Sequence, residues 1–182
     1  MILENSKPKL GATNPRWVGT GRTIYNNKGK PVKQYEPFFS STHLFEDEPE
    51  VVMTGVTPII FYDPLERVVA TLHPNHTYEK VVFDPWQQKT WDVNDTVVLD
   101  PRTDPEIKGF VIAYFATQLA NWETWYTLRG GGALGKEEQS AAKKTEAHAE
   151  TPTIAHFDSL GRVFLTIADN GKDTNGNPLN YC

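Results

Sequence analysis

Cysteine is nearly absent: the 182-residue chain has one, Cys182, at its last position. That excludes an internal disulfide framework and a cysteine-rich metal site. A thiol at a loose end, with no fixed histidine partner, is no catalytic nucleophile either. Positive charge is also short. Acidic residues outnumber basic ones 23 to 18, giving a formal net charge of −5, so the clustered basic surface that binds nucleic acid is missing and no such partner is expected. No apolar run is long enough to span a membrane, and the opening residues MILENSKPK lack the apolar core and cleavage site of a signal peptide. The one sharp acidic run, EDEPE at 46–50, reads as a solvated loop.

What is present is turn chemistry. Residues 1–16 are polar and proline-containing, and read as a linker or cut edge. From 17 to 100, short apolar runs alternate with Gly, Pro, Asn and Asp, the pattern of strands and tight turns. Strands are expected at 23–25, 51–54, 58–62, 68–72, 80–83 and 96–99. Residues 101–152 read as a helical insertion, with one helix over 107–128 ended by Gly130–Gly132 and a polar one over 136–149. Strand texture returns over 153–182, in 153–157 and 162–168, before a tail of turn formers at 169–178.

Several motifs look like chemistry and fail on context. RGGGALGKEEQ contains G-x-x-x-x-G-K from Gly130 to Lys136. A phosphate cradle needs a preceding strand and a Ser or Thr after the lysine; here a helix precedes and Glu137 follows, so the stretch reads as a connector between helices. His73-x-x-His76 has no third or fourth metal ligand nearby. Ser40-Ser-Thr42 lies too close to Glu46-Asp-Glu48 for the two to line one nucleotide cleft. The carboxylate pairs Asp100/Asp104 and Glu137/Glu138 accompany no nucleophile. Trp86, Trp91, Trp122 and Trp125, the last two expected on one helix face, read as packing residues, with a sugar-stacking platform as the alternative: a carbohydrate-binding β module using exposed Trp and Tyr. No catalytic residue, cofactor or metal site is expected.

The informative feature is a short unit seen four times: YNNKGKPV from Tyr25, YDPLERVV from Tyr62, FDPWQQKT from Phe83 and FDSLGRVF from Phe157. Each has an aromatic, then Asx, then turn residues, then a polar residue opening the next apolar run. This is the chemistry of a hairpin corner. Asn26, Asp63, Asp84 and Asp158 accept hydrogen bonds from backbone amides further round the turn. Gly29 and Gly161 suit a left-handed residue in a bulged loop. Glu66 and Gln87 replace that glycine, so those corners carry strain or a different turn. Arg67 and Arg162 open the return strands. Corners are expected at 25–30, 62–67, 83–88 and 157–162, with spacings of 37, 21 and 74 residues.

These octets resemble the YD repeats of the RHS family. The longer texts GRTIYNNKGKPVKQYEPFFSSTH, YDPLERVVATLHPNHTYEKVVFDPWQQKTWDVNDTV and TPTIAHFDSLGRVFL look like the RHS region of the B component of bacterial insecticidal Tc toxin complexes, over 17–170. The resemblance implies a mainly β fold of antiparallel hairpins, part of a sheet wound into a hollow shell. It implies neighbouring RHS repeats as partners, together with a C component that completes the shell around a toxic domain and an A component that delivers it. It implies assembly in the bacterial cytoplasm and then an extracellular life within the complex. The propeller that docks on the A component, the RHS core motif and the aspartates associated with self-cleavage have no counterpart here. The sequence stops where another strand is due, so the chain is expected to be a fragment, structural rather than enzymatic.

Overall fold

The computed structural model describes residues 2–4, 16–45, 47, 56–118, 121–173 and 175–182. The chain is mainly antiparallel β, and among the described residues the helices lie between two strands of the sheet. It divides into two compact units, residues 1–60 and 61–182.

In the first unit β1 (Ile2–Glu4) pairs with β2 (Arg16–Gly19), which pairs with β5 (Phe38–Ser40). The hairpin of β3 (Thr23–Tyr25) and β4 (Pro31–Gln34) meets β6 (Ile59–Tyr62) through Lys33 opposite Ile59. Alternation sets the burial of β5: Phe38 and Ser40 point inward and Phe39 outward. Phe38 packs with Tyr35 and Ile24. Its ring lies so close to Gly19 that a Cβ there would sit 2.5 Å from Cζ, so a larger residue at that strand position would have to push the ring aside. The strand expected at 51–54 falls outside the described residues.

In the second unit β7 (Val68–Leu72), β8 (Tyr78–Phe83), β9 (Gln87–Trp91), β10 (Thr153–Phe157), β11 (Val163–Lys172) and β12 (Pro178–Tyr181) follow β6 in unbroken order. The pairings recorded from β7 onward are all antiparallel. Every connection except that from β9 to β10 is a tight corner, which is why sequence order and spatial order coincide. The connection from β9 to β10 carries α1 (Lys108–Phe115), α2 (Trp125–Gly130) and α3 (Lys136–Glu146). Ile107 and Val111 from this insertion are buried, as are Ala70, Leu72 and Tyr78 from the sheet.

Three expectations need correction. The helix expected over 107–128 is two helices. Thr124 adopts an extended conformation and its hydroxyl accepts the Thr127 amide at 3.1 Å, starting α2 afresh. Trp122 lies in the connection before that cap, stacked on His76 at 4.9 Å, so Trp122 and Trp125 share no helix face. The strand expected at 96–99 is a turn instead. Asp92 accepts the amides of Asn94 and Asp95, while Asp95 accepts that of Asp92, and this local bonding overrides the β preference of Val97 and Val98. The tail expected as turn formers over 169–178 is strand as far as Lys172, then a corner, then β12.

Candidate functional site

The corners share one hydrogen-bond plan. At Asp63 the backbone N–H donates to the Arg67 carbonyl at 3.0 Å, and the Glu66 amide returns to the Asp63 carbonyl at 2.9 Å. The carboxylate caps the loop by accepting the Arg67 amide at 2.9 Å, and its second oxygen accepts Arg67 Nε at 2.7 Å. Asp158 repeats this with the amides of Leu160 and Arg162 and with Arg162 Nε at 2.8 Å. Asn26 does the same with the amides of Lys28 and Lys30, both at 2.9 Å. At Ile24/Tyr25 and His156/Phe157 the strand register shifts, so the aromatic sits on a bulge that turns the chain into the loop.

Asp84 builds a shorter corner, accepting the amides of Trp86 at 2.7 Å and Gln87 at 2.9 Å, with the Asp84 amide bonded to the Gln87 carbonyl. Gln87 therefore closes this loop and does not occupy a left-handed position. Glu66 does, with φ 64°, where Gly161 has φ 74°. An L-residue pays roughly 1–2 kcal/mol there. Glu66→Gly is expected to raise stability by about 0.5–1 kcal/mol after the loss to unfolded-chain entropy, and Gly161→Ala to lower it by about 1 kcal/mol. Paired denaturant melts check both signs.

Two further corners stand outside the four aromatic–Asx units: the His73–His76 stretch, which the family resemblance makes a turn between repeats, and one within the tail of turn formers. His73 to Thr77 has the same backbone bonds, with His76 at φ 69° in the left-handed place and the Asn75 side chain accepting the Thr77 amide. Asp173 accepts the amides of Asn175 and Asn177, with Gly176 at φ 84°. Neither has an aromatic followed by Asx, the signal that marks the other four.

Because neighbouring strands run antiparallel, the corners at Asp63, Asp84 and Asp158 lie at one end of the sheet. They are stitched together: the Arg67 guanidinium lies 4.1 Å from the Phe83 ring centre, and the Phe157 amide donates to the Trp86 carbonyl at 2.8 Å. The third residue of each of these loops is exposed and apolar, namely Leu65, Trp86 and Leu160.

Electrostatics hold the corner carboxylates ionised. At Asp63, burial is the largest influence and pulls the carboxyl upward, but the hydrogen bonds and charge of Arg67 together outweigh it and leave the group below its ordinary value. The Trp86 amide lowers Asp84, the Arg162 amide and side chain lower Asp158, and the Asn177 side chain and amide lower Asp173. A depressed folded value means that the unfolded chain binds more protons in acid. The corners' contribution is thus complete above the unfolded carboxylate value of about 3.9, and is lost as pH falls through the folded values. The melting temperature is expected to drop steeply below about pH 4. Asp158→Asn, which keeps the acceptor as Asn26 does, should make that drop shallower; an unchanged slope would count against this cause.

A second cluster lies under the insertion. Lys80 Nζ sits 2.8 Å from Asp104 Oδ2 and 2.5 Å from Glu106 Oε2, and the Tyr78 hydroxyl donates to Asp104 Oδ2 at 2.6 Å. The Trp91 ring centre is 4.5 Å from the ammonium. Burial, and then the bond to Asp104, push the Tyr78 phenol far above its ordinary value. The one sequence sign of this cluster is a lysine at an inward strand position between Tyr78 and Val82, with its anions 24 and 26 residues later.

The other candidates are dispersed. His76 Nδ1 is 2.6 Å from the Glu123 carbonyl, and His73 serves its corner through the backbone. Among the described residues no three His, Cys, Asp or Glu side chains converge to hold a metal ion. The stretch from Gly130 to Lys136 joins α2 to α3, pinned by Arg129 Nε to Glu138 at 2.6 Å and by Gln139 Nε2 to the Gly130 carbonyl. Ser40 binds the Thr42 backbone, and Asp100 binds Arg102. Trp91 is buried, Trp122 stacks on His76 and Trp125 lies against Arg129, while Trp86 alone of the four is exposed. They form no common platform. Cys182 is exposed. No helix among the described residues is long and apolar enough to cross a membrane.

No family profile and no curated protein matches the chain. Solved structures do. The fold is that of a segment of the Tc toxin TcdB2-TccC3, with a TM-score of 0.59 at 21% identity in its crystal structure and 0.62 at 20% in the TcdB2-TccC3-Cdc42 structure. The Photorhabdus luminescens Tc holotoxin pore matches with a TM-score of 0.58 at 21% identity. These matches cover 91–92% of this chain but 6% of theirs, so the likeness is to a small part of a long chain. The resemblance read from the sequence leads to these same toxin structures.

Proposed function

We propose that the chain is a wall segment of an RHS-type shell that encloses a toxin domain and helps deliver it within a Tc-type complex, with no chemistry of its own. The observation that carries this reading is the row of corners at Asp63, Asp84 and Asp158 along one end of a sheet whose strands follow in sequence order. Such a sheet grows by adding hairpins, and each added hairpin covers the edge of the last. Its partners are then neighbouring RHS repeats, with the C and A components of the complex beyond them. Its final location is outside the bacterium that makes it.

Appending one or two YD-repeat hairpins after Cys182 tests this. The extended chain is expected to show a larger soluble fraction and a higher melting temperature than the parent. If the hairpins instead hang unfolded beside an unchanged parent, β12 is no growth edge and the reading fails.

A further inference from the structure

α1 has the sequence KGFVIAYF, apolar on nearly every side after its first residues. Val111 is 1% exposed, yet its neighbours Phe110 and Ile112 are 39% and 69% exposed. Hydrophobic burial therefore has no strong preference for which side of the helix meets the sheet, since a roll of one residue would bury Ile112 in place of Val111. The aromatic contacts of Tyr114 with Phe61 and of Phe115 with Trp122 hold the last turn, which leaves the first turn to be set by something else. The charged cluster is placed to do so, because Asp104 has two roles. Its backbone carbonyl accepts the Lys108 amide at 2.9 Å and its Oδ1 accepts the Glu106 amide, fixing the start of α1. Its Oδ2 takes Lys80 and Tyr78 from β8.

We infer that the Tyr78–Lys80–Asp104 cluster is a registration key, which selects one rotation and position of the insertion on the sheet while adding little net stability. The physical ground is the cost of burial. Lys80 and Asp104 side chains are 4% and 1% exposed, and withdrawing both from water offsets most of their attraction. Replacement of such a pair by apolar groups of similar volume is commonly neutral or stabilising, whereas a wrong placement leaves one charge buried without its partner. A misdocked α1 is thus penalised heavily and the correct one rewarded only slightly. Glu106, partly exposed, is the third charge at the ammonium, and Asp100 acts on Tyr78 from the same insertion. The inference does not depend on the shell reading.

Thiol labelling tests it. With Cys182→Ser removing the chain's one cysteine, Val111→Cys and Ile112→Cys are introduced separately, and each is also combined with Tyr78→Phe/Lys80→Met/Asp104→Leu. With the key intact, position 111 is expected to label about 100-fold more slowly than 112. Without the key, the ratio should fall below about ten-fold while the denaturant midpoint holds or rises. A ratio that survives loss of the key would show that packing alone selects the face. A midpoint that collapses, or a variant that does not fold, would show that the key is a stabiliser, and either result overturns the inference.

Discussion

Purified residues 1–182 are expected to self-associate, with a light-scattering mass that climbs with concentration. The cause is the edge at β12. Its residues are exposed along the whole strand, and it pairs on one side with β11. Among the described residues no strand pairs with its other side, where Leu179 and Tyr181 are exposed, and Val163 and Phe164 of β11 are also exposed. An open edge next to apolar side chains is a template for another chain. Pro178 lacks an N–H and blunts one position, which is too little to close the edge. Leu179→Lys combined with Tyr181→Lys should shift the population strongly to monomer, because pairing would bring like charges together and bury them. A parent that stays monomeric at every concentration would remove the edge argument.

Ile107→Ala should cost about 2–5 kcal/mol, a large part of the roughly 5–15 kcal/mol that holds an ordinary domain together. Ile107 is 1% exposed and lies one residue before α1, where its amide and carbonyl join the first turn. Truncating it removes apolar contacts and leaves a cavity that helix and sheet, both pinned by hydrogen bonds, cannot close. Ile112→Ala, on the exposed side of the same helix, should cost less than about 1 kcal/mol. Equilibrium denaturation reads both through the midpoint at constant slope. Equal losses would mean that α1 does not pack through the Val111 side.

What the sequence displays follows from how local each feature is. A corner such as Asp63–Arg67 is closed by bonds within five residues, so its chemistry is written in one short phrase. The turn at His73 follows from the family resemblance, but its likeness to the other corners does not show in the residues, because no carboxylate starts it and Asn75 caps it from inside. Residues 96–99 mislead because the Asp92–Asp95 exchange of hydrogen bonds decides their conformation against Val-Val propensity. Thr124 caps α2 locally, but the segment leading into that cap is held by Trp122 stacked on His76, a pairing 46 residues apart, and the Lys80 cluster rests on anions more than 20 residues away. No local pattern carries such information. Short-range turn chemistry was legible, and the docking of the insertion was not.

The central claim, that these residues are a stretch of shell wall, is tested most directly by electron cryomicroscopy of the native assembly isolated through a tag on this chain. The expected image is a hollow particle whose wall is a continuous antiparallel sheet, with the corners at Asp63, Asp84 and Asp158 in a row along one end of its strands and a neighbouring strand paired to β12. A solid particle, or one in which β12 faces solvent and the sheet ends there, would contradict it.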